Sequence, residues 1–148
     1  MVSGPVKKNI ETCLEDAEWY IRMAEKSMEM EAPHRVTVSM CIRAIIRGTD
    51  ALCFYYTGER CDSGRSHSLH NTFANLYTDN ELPEEYASYR SNIQKWVSEE
   101  KTKAEYRGQD YSTNELTKAV KQSRRYLKNC VKQVLKDEGL FERLDTDF

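Results

Sequence analysis

Apolar residues recur along this chain in steps of three and four, the spacing that gathers them on one side of an α-helix. From about Lys7 to Met30 the series is Ile10, Cys13, Leu14, Ala17, Ile21, Ala24 and Met28, with Glu11, Glu15, Glu18, Glu25 and Glu29 largely off that face. Pro33 breaks the phase, and a proline near a helix start costs no hydrogen bond. A second series, about His34 to Tyr56, carries Val38, Ile42, Ile45, Ile46, Thr49, Leu52, Cys53 and Tyr56. It is the broadest apolar face and predicts the centre of the core. Gly58 suits the C-terminal cap of this helix.

After the polar stretch Gly58 to Arg65, Leu69, Phe73 and Leu76 predict a shorter helix. Leu82-Pro83 restarts the chain, and Tyr89, Ile93, Trp96, Val97 and Ala104 are in phase for a helix running to about Tyr106. Ser112-Thr-Asn-Glu115 has the form of a capping box, in which serine and glutamate satisfy free helix-start amides reciprocally. The helix it opens is predicted to reach about Asp137, with Leu116, Ala119, Val120, Ser123, Leu127, Cys130, Val131 and Val134 inward. Gly139 stops it, and 140–148 form a tail.

None of these segments can bury its stripe alone, so they must pack on one another. Four long helices and one short one predict an all-α, up-and-down antiparallel bundle. The 148 residues suit a single domain over 1–148, with its core about 7–137. Only three prolines and six glycines interrupt the chain, which favours long helices over many short strands. Trp19, Trp96 and most tyrosines sit on or beside the apolar stripes and are expected in the core or an interface. So many aromatics on long helices also predict a homodimer, through the second and fourth helices.

No apolar run approaches the roughly 18 residues of a membrane span, and Met1 to Lys8 has no signal-peptide core. A cytoplasmic protein without a membrane role is therefore expected. The five cysteines, Cys13, Cys41, Cys53, Cys61 and Cys130, are odd in number and widely spaced. In a reducing compartment they read as small buried hydrophobes without a disulfide framework.

Three local patterns resemble the HEPN domain family, small helical domains named for higher eukaryotes and prokaryotes nucleotide binding. One is Ser39-Met-Cys-Ile-Arg-Ala-Ile-Ile-Arg-Gly-Thr-Asp-Ala-Leu-Cys53, running on to Tyr-Tyr-Thr-Gly58. Another is Ser66-His-Ser-Leu-His-Asn-Thr-Phe73, and the third is Lys101-Thr-Lys-Ala-Glu-Tyr106 followed by Tyr111-Ser. The resemblance spans about Ile10 to Asp137. It implies a bundle that commonly dimerises. Many members are metal-independent ribonucleases or toxin components of toxin–antitoxin pairs. Others bind nucleotides or pair with small nucleotidyltransferases.

Active members of that family carry Arg-x-x-x-x-His near the end of the helix before the last. In the matching register this chain has Lys101 and Tyr106. A tyrosine near pKa 10 is mostly protonated at neutral pH, unlike a histidine near 6.5, and makes a poor proton acceptor for a 2′-hydroxyl. Lysine cannot reproduce the two-point grip of arginine on phosphate. The departure predicts a binding or interaction module for a nucleotide, RNA or a nucleotidyltransferase-type partner.

Two alternatives stay open. Arg65-Ser-His-Ser-Leu-His70 fits the six-residue pattern literally, at the loop-to-helix junction, so Arg65 and His70, or Lys101 and Tyr106, could serve a metal-independent ribonuclease. The other is a purely structural oligomer. Cys61, His67 and His70 make an incomplete ligand set, and Glu31-Ala-Pro-His34 imitates a di-iron Glu-x-x-His with no second copy, so neither metal nor cofactor is expected. His67 matches a histidine often present at this point in related sequences.

Charge adds one asymmetry. The chain has 22 basic and 24 acidic residues, a net −2. Yet Lys118, Lys121, Arg124, Arg125, Lys128, Lys132 and Lys136 crowd the last helix, with no acid between Leu116 and Lys136. On an unbroken α-helix all but Arg124 fall within an arc of roughly 80°, opposite the apolar face. Such a stripe is either solvated surface balanced by the acidic first helix or a site for an anionic partner. Lys121, Arg125 and Lys128, with His67, Lys101, Tyr106 and Arg107, are the candidate contacts; Tyr106, Tyr111 and Tyr126 are candidate stacking platforms.

Overall fold

The computed structural model describes residues 3–58, 86, 88–93, 95–96 and 110–137. Within them the chain is an all-helical bundle. The short helix expected around Leu69 to Leu76, the stretch from Val97 to Tyr106 and the tail 140–148 lie outside the described residues.

Helix α1 runs Gly4–Glu29. It begins earlier than the periodicity requires because Ser3 caps it, accepting from the Val6 amide at 3.3 Å, and Pro5 stands in its first turn. Proline there forfeits an amide that has no helical partner anyway. Ile10, Cys13, Leu14, Ala17, Ile21 and Ala24 are buried, as their spacing predicts. Met28 is not; it and Trp19, Met23 and Met30 are exposed.

Glu31 takes a left-handed backbone (φ 56°) in the turn out of α1. Helix α2, His34–Thr57, then returns antiparallel with Pro33 at its N-cap position. Its C-terminus closes on Gly58 at φ 77°, whose amide donates to the Phe54 carbonyl at 3.0 Å. That left-handed cap is the conformation glycine adopts without a Cβ penalty. α2 is the central helix, buried from Thr37 to Cys53 on the faces turned to α1 and to the last helix.

A five-residue helix, α3 (Tyr89–Ile93), brings Ile93 into the core, and Trp96 follows it there. Helix α4, Thr113–Tyr126, opens on the expected capping box. The Ser112 amide donates to Glu115 Oε1 at 3.0 Å, and the Glu115 amide donates to Ser112 Oγ at 3.2 Å. The helix does not stay α-helical. Residues Leu127–Lys132 form a π-helical segment before the last turn, α5 (Gln133–Asp137).

The π segment has a reason in the sequence. Ala119, Ser123, Leu127, Val131 and Leu135 are all buried, and they are spaced by four every time. On an ideal α-helix each four-residue step drifts by roughly 40°, so the row would wind off the core. A wider turn absorbs that drift and keeps the row inward. Packing then becomes close. A Cβ built on Gly48 of α2 would lie 2.4 Å from Leu127 Cδ2 and 3.3 Å from Val131 Cγ2, so only glycine lets α2 approach the π segment.

The cysteines follow the expectation only in part. Cys13, Cys41 and Cys130 are buried thiols, but Cys53 is disulfide-bonded. Spacing along a chain does not tell which sulfurs a fold brings together, and the expectation of five reduced cysteines is corrected at this position.

Candidate anion-binding face

Lys118, Lys121, Arg125 and Lys128 project from α4 and the first π turn as exposed side chains. In helical projection they share an arc of roughly 80°, away from Leu116, Ala119, Ser123 and Tyr126. The capping box fixes where this face starts, and the buried row fixes which way it turns.

Arg124 departs from it. This residue is half-buried and forms an ion pair with Glu25 of α1. Beyond the π turn the phase changes again. One inserted residue makes everything after it lag by roughly 100° relative to an unbroken α-helix. Lys132 and Lys136 therefore swing toward the Arg124 flank, and Lys132 is half-buried like Arg124. The six-cation stripe expected from ideal periodicity is thus two groups. Four cations face outward together, and Lys132 and Lys136 lie toward the flank of Arg124, which pairs with Glu25 of α1.

A shallow recess of about 170 Å³ borders the outward group, lined by Lys95, Trp96, Asn114, Glu115 and Lys118. The Lys95 ammonium lies 4.8 Å from the centre of the Trp96 ring. Trp96 is held in place by its indole Nε1, which donates to Gln122 Oε1 at 2.7 Å. Lys95 was not among the residues singled out from sequence; its helix phase alone gives no sign that it reaches the start of α4.

The aromatic platforms expected from sequence are not on this surface. Tyr126 is 1% exposed and Tyr111 7%, so neither ring can stack on a base. Tyr126 instead packs against Tyr89, ring centres 5.7 Å apart, and its hydroxyl meets Thr49. Tyr106, Lys101, Arg107, Arg65, His67 and His70 lie outside the described residues.

Behind the surface runs a polar seam. Arg47 Nη1 donates to Asp50 Oδ2 at 3.0 Å, and Arg47 Nε donates to Asp16 Oδ2 at 3.1 Å. The Asp50 side chain is fully buried, whereas Arg47 keeps 22% of its side chain accessible. This cluster ties α1 to α2. Burial pushes the Cys41 thiol up to about 11, against a hydrogen bond with Ser123, and raises Cys130 likewise. Neither supplies a thiolate nucleophile at neutral pH.

At the N-terminal end of α4, Asp110 joins two helix starts. Its carboxylate accepts from the Tyr111 amide at 2.9 Å and from the Arg35 amide at 3.2 Å. His34 Nδ1 is bonded to the Tyr111 carbonyl oxygen, which fixes the ring as the donor on that side. The Glu31 to His34 stretch therefore belongs to a turn and a helix start, not to a helical metal-ligand pair. Among the described residues, no group of three or more His, Cys, Asp or Glu side chains is placed to hold a metal ion.

Among the described residues, these features define a helical bundle with an outward basic face. In comparisons with known proteins, no family model and no curated protein matches the chain. No helix among the described residues is long and apolar enough to cross a membrane.

Proposed function

We propose that this protein is a HEPN-like, non-catalytic binding module that holds the phosphates of RNA through Lys118, Lys121, Arg125 and Lys128. The observation that carries the reading is the separation of the cations. Arg124 is neutralised by Glu25, while the four outward residues share one exposed face and are free of acid between them in sequence. Such a face favours anions without reading bases, because phosphate contacts position a nucleic acid but carry no sequence information. A nucleotide, or the nucleotide of a nucleotidyltransferase-type partner, offers the same phosphate chemistry to fewer cations. The proposed place of action is the cytoplasm.

The non-catalytic part of the reading rests on the sequence. Lys101 and Tyr106 stand where the family resemblance implies an arginine and a histidine, removing the phosphate fork and the proton acceptor.

Fluorescence anisotropy with single-stranded RNA at low and moderate salt tests the proposal. Binding should weaken with salt by a power of roughly 0.7 per phosphate neutralised. Lys121→Ala, Arg125→Ala and Lys128→Ala combined should weaken it in every RNA sequence tried, with the helical circular dichroism unchanged. Salt-independent binding, or none at low salt, would sink the reading. Metal-free RNA cleavage abolished by His70→Ala or Tyr106→Phe would replace it with a ribonuclease.

A further inference from the structure

Helix α1 is apolar on two opposite faces. Ile10, Leu14, Ala17, Ile21 and Ala24 are buried in the bundle. Trp19, Met23 and Met30 point the other way, with Trp19 55% and Met30 71% exposed. At 100° per residue, Met23 and Met30 lie within roughly 40° of Trp19 in projection, a single strip. An exposed apolar strip rimmed by charge marks a protein contact, and tryptophan, methionine and arginine are the residues enriched there. The Arg22 guanidinium already lies 5.5 Å from the Trp19 ring centre.

The rim identifies the occupant. One edge of the strip carries Glu15 and Glu18 in its N-terminal half and Arg22 and Lys26 in its C-terminal half, with Lys8 and Glu11 toward one end and Glu29 at the other. The other edge offers Asp16, Tyr20 and Ser27, with no cation, and Asp16 is already held by Arg47. In an antiparallel helix pair related by a two-fold axis, like edges meet, and residue i faces j while j faces i. Glu15 and Glu18 of each helix then lie along Arg22 and Lys26 of the other. With the axis near Ile21, Glu15 comes opposite Lys26, and Trp19 lies between Arg22 and Met23. A parallel pair would instead set the charged edge against the edge that has no cation. The present Glu18–Arg22 and Lys26–Glu29 contacts lie along one helix with solvent-exposed basic heads, so exchanging them costs little.

We propose that α1 pairs antiparallel with α1 of a second copy of this chain, through Trp19, Met23 and Met30, with Glu15 of each copy against Lys26 of the partner subunit. Of the seam expected from sequence, the second helix is described, whereas the fourth, from Leu82 to about Tyr106, lies mostly outside the described residues. α2 turns its apolar faces into the bundle, and the large exposed hydrophobics of the described residues are on or just after α1.

Sedimentation equilibrium of the full chain, from about 1 to 100 μM, tests this, since a single helix pair belongs with small, micromolar interfaces. The expected result is a monomer–dimer equilibrium. Trp19→Glu should weaken it by at least about tenfold, as loss of a central aromatic anchor does. Glu15→Lys and Lys26→Glu should each weaken it, and the double variant should restore it. All three substitutions are on exposed positions, and circular dichroism checks that helix content is kept. A monomer throughout the range, or a dimer that Trp19→Glu leaves intact, would overturn the proposal. Two disruptive single charge reversals that fail to restore each other would overturn the antiparallel register. RNA binding is read separately by anisotropy, so the two proposals fail independently.

Discussion

Thr49 Oγ1 on α2 and Tyr126 Oη at the end of α4 meet at 2.7 Å in the buried centre of the bundle, 77 residues apart in sequence. The threonine hydroxyl also donates to the Ile45 carbonyl at 2.9 Å. Its single proton is thereby used, so Tyr126 is the donor to Thr49. The tyrosine must stay protonated to make this bond.

A pH dependence follows. Burial raises the Tyr126 pKa well above the ordinary phenol value, with the Cys130 and Asp50 surroundings adding to it and the Thr49 bond opposing it. A raised folded-state pKa gives a contribution that is complete below the unfolded value, near 10, and is lost as pH climbs beyond it. Urea unfolding between neutral pH and the phenol range should show stability falling on the alkaline side. Tyr126→Phe should remove part of that slope and cost about 1 kcal/mol at pH 7 for the missing hydrogen bond.

Gly48→Ala should destabilise the protein even though alanine is the better helix former. The propensity gain is about 1 kcal/mol, but the new methyl would collide with the fully buried Leu127, and overpacking costs about 1–3 kcal/mol. Adding Leu127→Ala should make the pair less damaging than the sum of the two single changes, because one vacates the space the other needs. A denaturant midpoint that rises for Gly48→Ala alone would mean that α2 and the π segment are less tightly packed than their geometry states.

Arg47→Ala removes one ion-pair partner of the buried Asp50 carboxylate, together with its bond to Asp16. Breaking a buried ion pair from one side costs roughly 3–5 kcal/mol, because the remaining charge has been taken out of water. Arg47 is partly exposed, so the lower end is expected. Asp50→Asn in the same chain should recover part of the loss. Equal destabilisation of the single and double variants would show that the charge of Asp50 is not the source.

Asp110→Asn should lower the denaturant midpoint at neutral pH and flatten the acid limb of the stability curve. The carboxylate pKa is lowered chiefly by the Tyr111 amide, with burial opposing and the Arg35 amide, His34 and Arg35 assisting. A depressed folded-state pKa gives stability that is present above the unfolded value, near 4, and lost as pH falls through the folded one. An unchanged acid limb in the variant would assign the acid sensitivity to other carboxylates.

Much of this architecture is written in local chemistry that needs no neighbour. The 3.6-residue phase of Ile10 to Ala24, the reciprocal Ser112–Glu115 cap and the left-handed Gly58 stop act within one or two helical turns. The outward positions of Lys121, Arg125 and Lys128 follow from the same phase. The tertiary structure decided the rest. Residues spaced by four from Ala119 to Leu135 can all face inward only on a widened turn, and the close approach of Gly48 shows where that turn packs. The widening shifts Lys132 and Lys136 out of the sequence-derived stripe. Glu25, 99 positions away, neutralises Arg124, and no periodicity reports that pairing. Likewise, Tyr126 on the last helix could have been a surface platform; burial against Thr49 and Tyr89 makes it core. Helices are specified by neighbours along the chain, whereas which faces meet, and which charges remain in water, is settled by the volume and polarity of side chains brought together from distant segments.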